Sequence, residues 1–331
     1  MAMIVPQYWA EARVQERFGR GHPSGRRSLT VRRFGWSDAS LAEAQAMADA
    51  RARDAFDRMM AGQGGLARTE PRVPYDAEGL PIREQIVERD GDAVTTRNSY
   101  GARCLNVPDV LFADIDFDPP LSAWRRGYLF ASLAIGVAVG WFTHPGFGFL
   151  ALFASVFGFS AIARAQSKRR HAADGGPETR ALQRVRAFVA AHPDWHLRLY
   201  RTPAGLRLLA MHRVFDPNEP AVAEFFAAVG ADPQFALMCQ RQHCFRARIS
   251  PKPWRIGIRE RLRPRPGVWP VDPAYLPERE RWIADYERKA AGYAACRFVE
   301  RLGSRDYVAG AQHVQRLHDD ACRAESGLPL A

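Results

Sequence analysis

The chain has 331 residues, 47% apolar and 25% charged, which excludes a wholly disordered polymer and leaves room for one large domain or two modest ones. Its formal charge of +11 favours anionic partners such as phosphates, nucleic acid or acidic lipid headgroups, although nearly all of the basic residues are arginine, a bias that genome composition also produces. The five cysteines, Cys104, Cys239, Cys244, Cys296 and Cys322, are scattered without a CxxC spacing, as expected in a reducing compartment rather than in a disulfide framework.

Residues 1–18 carry no basic stretch followed by an apolar run, so no signal peptide is expected. Residues 6–17 and 28–36 read as two strands around a Gly-rich, basic connection. Ser37 or Asp38 then caps a helix over about 39–60. Residues 61–80 are punctuated by Gly and Pro and read as loop. The stretch REQIVERDGDAVTTRNS predicts a β-hairpin turning at Asp90-Gly91-Asp92, and VLFADIDF at 110–117 a buried strand.

Residues 127–163 contain no Asp, Glu, Lys or Arg, and Thr-His-Pro-Gly at 143–146 splits them into two apolar runs. This predicts helix, tight turn, helix. Each run falls slightly short of the roughly 20 residues that cross a bilayer comfortably, and flanking residues extend it. Arg125 and Arg126 precede the first run; Arg164, Lys168, Arg169 and Arg170 follow the second. Basic residues on both outer flanks place both termini in the cytoplasm of a two-span inner (plasma) membrane protein, and Trp124 and Trp141 occupy interfacial positions. The alternatives are a buried helical hairpin in a soluble core and a re-entrant loop.

Beyond the linker at 171–177 the pattern gives a helix near 178–191, a hairpin from WHLRLYRT and LRLLAMHR, and helices near 219–229 and 232–240. A strand in CFRARIS, a Pro-rich extended stretch at 261–277, one long helix over about 278–302 and a last helix near 305–322 complete it. The expected architecture is α+β, a mixed sheet with flanking helices, interrupted by a two-helix transmembrane hairpin. Residues 1–124 and 171–331 form the two parts of a cytoplasmic domain, with the hairpin at 125–164; two small soluble domains are the alternative.

Asp114-Ile115-Asp116 ends an otherwise apolar strand, and strand alternation points both carboxylates to one face. Two like charges side by side call for a bridging cation, and oxygen donors suit Mg²⁺ or Mn²⁺, which grip phosphates. The competing reading is of caps and turn formers. Residues 241–265 hold nine basic residues against Glu260 alone, a net +8, with Phe245 and Trp254 interleaved as in surfaces that join phosphate contacts to base stacking. Alternation places Arg246 and Arg248 on one face, where, with Lys252 and His212, they would grip phosphate. Anionic lipid is the other candidate partner. Cys239, His243 and Cys244 lack the spacing and fourth ligand of a common zinc site.

FADIDF, followed downstream by Ala210-Met211-His212, resembles the catalytic palm of the archaeo-eukaryotic primase-polymerase superfamily. That resemblance implies a metal-binding role for Asp114 and Asp116, a nucleotide-phosphate contact for His212 and a third acidic residue, for which the sequence offers no clear match. The overall layout also resembles bacterial inner-membrane proteins of no assigned activity. Two functions follow: a non-catalytic, membrane-anchored module whose basic face binds nucleic acid or anionic lipid, or a divalent-metal-dependent nucleotidyl or phosphoryl transferase of primase-polymerase-like or DxD glycosyltransferase-like type. Neither substrate nor oligomeric state is written in the sequence.

Overall fold

The computed structural model describes residues 3–19, 28–63, 65–70, 81–117, 123–173, 175–265 and 269–331, without the side chains of 123–126 and 163–173. The chain opens with strands β1 (Tyr8–Arg17) and β2 (Ser28–Ser37), an antiparallel ribbon in which Trp9 faces Trp36. Helix α1 (Leu41–Met60) lies across the ribbon on a stripe of Ala44, Ala48, Ala52 and Ala55, whose helical spacing puts small side chains on one face. The cap is Ser40, whose hydroxyl accepts from the Glu43 N–H. Of the two expected caps, Ser37 instead donates to the Glu43 carboxylate at 2.7 Å, and Asp38 accepts from the Gln7 N–H at 3.1 Å.

The small stripe lets α1 approach β2 closely at Gly35. A Cβ there would stand 2.1 Å from the Ala44 carbonyl oxygen and 2.3 Å from the Ala48 nitrogen. Both neighbours are backbone, so they cannot swing aside. Gly35→Ala is therefore expected to cost about 1–3 kcal/mol through overpacking, read as a lower denaturation midpoint in mild detergent with the signal confined to this ribbon and helix.

The remaining elements are, in chain order, β3 (Gln85–Asp90), β4 (Ala93–Arg97), β5 (Arg103–Val107), β6 (Phe112–Asp116), α2 (Ala123–Phe142), α3 (Pro145–Ala173), α4 (Gly176–Ala191), β7 (His196–Thr202), β8 (Gly205–Ala210), α5 (Pro220–Val229), α6 (Pro233–Gln242), β9 (Phe245–Arg248), α7 (Leu276–Ala290), β10 (Arg297–Gly303) and α8 (Ala309–Cys322). They build two antiparallel four-stranded sheets, ordered β3-β4-β5-β9 and β10-β7-β8-β6. In both sheets a strand from before α2 pairs with one from after α3: β5 with β9, and β6 with β8. The polar body is thus assembled from both flanks of the apolar segment, and α2–α3 is an insertion in it. One large cluster, with Phe112, Ile115, Leu197, Leu208, Phe225 and Phe245, fills the core. The fold is mixed α+β.

Two elements depart from the sequence pattern. The helix expected over 278–302 stops at Ala290, and residues 297–303 form β10, an edge strand on β7. Nothing in RFVERLG breaks a helix; pairing with β7 overrides a local pattern compatible with either state. Strand β5 had no alternation strong enough to be expected.

Helices α2 and α3 pack against each other through glycines: a Cβ on Gly148 would lie 2.6 Å from the Gly136 carbonyl oxygen. Their outer surfaces are bare. Phe130, Trp141, Phe142 and Phe157 are all more than 70% exposed, and only 6% of Pro145–Ile162 is buried, which is not how a soluble core helix behaves. Pro145–Ile162 alone is long and apolar enough to cross a membrane; the apolar part of α2, Gly127–Phe142, is shorter than that measure requires. The sequence expectation of two spans is therefore met by one helix. The side chains of Trp124, Arg125, Arg126, Arg164, Lys168, Arg169 and Arg170, expected at the membrane flanks, lie outside the described residues.

Candidate anion-binding site

At the end of β6, Ile115 turns into the core, 1% exposed, and Asp114 and Asp116 take the other face, as strand geometry demands. Register sets Asp114 opposite Arg207 of β8. Arg207 Nε donates to Asp114 Oδ1 at 2.6 Å and Nη2 to Oδ2 at 2.9 Å, while Nη1 donates to the Arg248 carbonyl at 2.8 Å. Arg207 is 1% exposed. Burial alone would push the Asp114 carboxyl up; the Arg207 charge and hydrogen bonds outweigh it and hold the group below its usual range. Asp116 behaves oppositely. Desolvation first, then the charges of Asp114 and Asp232, raise its carboxyl, with Lys252 and Arg248 partly offsetting them.

The Arg207 pairing is not the bridging cation that the sequence pattern suggests for Asp114 and Asp116. Both oxygens of Asp114 are engaged by a guanidinium fork, so a divalent ion, which needs several oxygen donors, would have to compete with Arg207 for Asp114. Of the other expected residues, Arg248 and Lys252 lie beside Asp116, whereas His212 and Arg246 do not. His212 follows the far end of β8, while Asp116 faces Gly205 at the near end. The His212 ring sits 4.7 Å from that of Trp195 and accepts from the His196 N–H at 3.4 Å. Burial, then the nearby charge of Arg213, lower its basicity. Arg246 does share a strand face with Arg248, but its Nη2 donates to Glu84 Oε2 at 2.5 Å inside the body, and Thr96 donates to the same oxygen at 2.6 Å. His243 turns to Asn218, 2.8 Å away, apart from the buried Cys239 and Cys244.

What does gather is cationic. Arg248 ends β9, and Lys252 and Arg255 follow in the loop and in the 3-10 turn Pro253–Ile256. Burial, then the charges of Arg248 and Arg255, lower Lys252, against the partial support of Asp116 and Asp114. Burial and Arg248 lower Arg255 in the same way. Arg248 Nε and Arg255 Nη1 are buried without a hydrogen-bond partner among the described residues. Buried guanidinium donors are normally paired. Three cations thus crowd around Asp116, with donors left over for an anion.

Beside them Trp254, 56% exposed, meets Tyr100 edge-on at 5.3 Å, and Lys252 lies 5.5 Å from its ring centre. A groove of about 510 Å³ runs between these rings and Arg259, Arg261 and Arg265. Across the same segment a second groove of about 440 Å³ mixes Arg263, Arg281 and Lys289 with Glu278 and Asp285.

Arg207 and Arg255 were not singled out by sequence reasoning. The signal for Arg207 was present: a lone arginine in the apolar strand GLRLLA must find a counter-charge, and a lone aspartate pair in the apolar strand FADID supplies one. Comparisons of the chain with protein-family models, with curated proteins and with solved structures find no match.

Proposed function

We propose that this chain is a membrane-anchored binding protein that takes single-stranded nucleic acid on its basic face, phosphate at Arg248, Lys252 and Arg255 and bases in the groove of Tyr100 and Trp254. The unpartnered donors of Arg248 and Arg255 beside Lys252 carry this reading, because phosphate oxygens supply what those nitrogens lack. Exposed Trp254, ringed by arginines, favours nucleic acid over lipid headgroups, since stacking needs an aromatic face next to the phosphate path. Metal-dependent nucleotidyl or phosphoryl transfer at Asp114 and Asp116 has weaker support, because Arg207 already holds both oxygens of Asp114.

In this reading α2 and α3 both cross the inner membrane and leave the polar body in the cytoplasm. Helix α2 has 20 residues, about 30 Å at 1.5 Å per residue, which matches the hydrocarbon core.

Fluorescence anisotropy of a labelled single-stranded oligonucleotide with the full chain in detergent tests the proposal. Affinity is expected to fall with salt, with a slope of roughly −0.7 per phosphate contacted. Trp254→Ala is expected to weaken binding by about 1–3 kcal/mol, and the pair Lys252→Ala, Arg255→Ala to flatten the salt slope. Binding to anionic vesicles but not to the oligonucleotide would transfer the face to lipid, and salt-independent binding would end the phosphate assignment.

A further inference from the structure

Helix α8 places His318 and Cys322 four residues apart, hence on one face. Cys296 stands immediately before β10 and meets that face. All three are fully buried, at 0% exposure, and their donor atoms lie within 4.8 Å of one another. His318 Nε2 is 3.8 Å from Cys296 Sγ.

The imidazole is oriented from behind. Asp319 Oδ1 lies 2.9 Å from His318 Nδ1, which makes Nδ1 the protonated nitrogen and turns the Nε2 lone pair to the two thiols. Asp319 is itself held by Arg198 and by Gln315, each at 2.7 Å. A carboxylate behind a histidine whose other nitrogen faces further donors is the second layer that metal-binding histidines possess. The rings of Tyr200 and Phe112, 4.8 and 5.2 Å from that of His318, wall the cluster from water. Arg207 Nη1 approaches Nε2 at 3.3 Å, but Arg207 is already fixed by Asp114 and the Arg248 carbonyl and does not depend on this contact. Full burial argues against a catalytic thiol, which has to meet a substrate.

We propose that Cys296, His318 and Cys322 bind a soft or borderline metal ion, zinc or copper(I), that fastens the start of β10 to the end of α8. Two thiolates and an imidazole select such ions and disfavour Mg²⁺, Mn²⁺ and Ca²⁺, which take oxygen donors. The assignment does not depend on nucleic-acid binding, which uses other residues.

Elemental analysis of the full chain, purified in detergent without chelator, is expected to find close to one zinc or one copper per chain, and X-ray absorption at that metal's edge identifies the ion and its neighbours. For zinc, sulfur neighbours are expected at about 2.3 Å. Asp319→Asn keeps every ligand, and chelator competition is expected to show its metal affinity lowered about 10–100-fold, with near-ultraviolet circular dichroism confirming that it folds. A wild-type chain that takes up neither Zn²⁺ nor Cu(I) overturns the site. So does a metal with only oxygen and nitrogen neighbours, or a Cys296–Cys322 disulfide in the purified protein.

Discussion

Arg207→Met is expected to remove about 3–5 kcal/mol of stability, the cost of stranding one half of a buried ion pair. Arg207 is among the most deeply buried side chains of the molecule, and it closes three interactions at once: both oxygens of Asp114 and the Arg248 carbonyl at the end of β9. These bonds tie the two sheets together, because Asp114 and Arg207 belong to one and Arg248 to the other. The acid response separates loss of the pair from a general packing defect. In the wild type the Asp114 carboxyl sits below its usual range, so its stabilising contribution is complete above the ordinary carboxylate pKa and is lost as pH falls through the depressed folded value. Without Arg207, burial raises the same carboxyl. The variant then suffers most at neutral pH and recovers relative to wild type as acid neutralises Asp114. Denaturation midpoints of both proteins in mild detergent, followed from neutral to acid pH, are expected to converge. A gap that stays constant with pH would show that the charge of Asp114 is not what Arg207 stabilises.

The same pair shows what the sequence made legible and what it did not. Strand alternation correctly set Asp114 and Asp116 on one face, and the basic run at 241–265 held the residues of the candidate site. The choice of partner was not legible. Asp114 and Arg207 are 93 residues apart, and their contact depends on the register between β6 and β8, which local pattern does not encode. Arg246 and Arg248 look equivalent in CFRARI, yet Glu84 claims the first, while the second keeps a buried Nε without a hydrogen-bond partner among the described residues. Cys296, His318 and Cys322 were likewise separate letters. His318 and Cys322 had helical spacing, but the third donor arrives only because residues 297–303 form an edge strand instead of continuing the helix expected there. Long apolar and alternating segments were readable because burial alone decides them; sites that need distant elements in register were not.

Leu133→Arg combined with Phe153→Arg is expected to abolish membrane insertion. Both side chains point outward from the packed pair, at 53% and 61% exposure, and each stands near the middle of its apolar run. A central arginine costs about 2.5–3.5 kcal/mol on insertion, and two of them fall on the same hairpin, where neither helix can compensate for the other. The wild-type chain is expected to stay with membranes through high salt and alkaline carbonate, whereas the double variant leaves them. Fractionation alone does not distinguish two spans from a re-entrant loop, and Thr143→Cys does. Thr143 is exposed at the connection between α2 and α3, and the five native cysteines are all buried, so an impermeant maleimide reads the new thiol alone. With the polar body in the cytoplasm, as proposed, labelling of intact spheroplasts from outside requires that both helices cross, since the connection then lies on the opposite face. Labelling only after lysis would leave the connection on the same side as that body, and α2 and α3 would then dip into one leaflet.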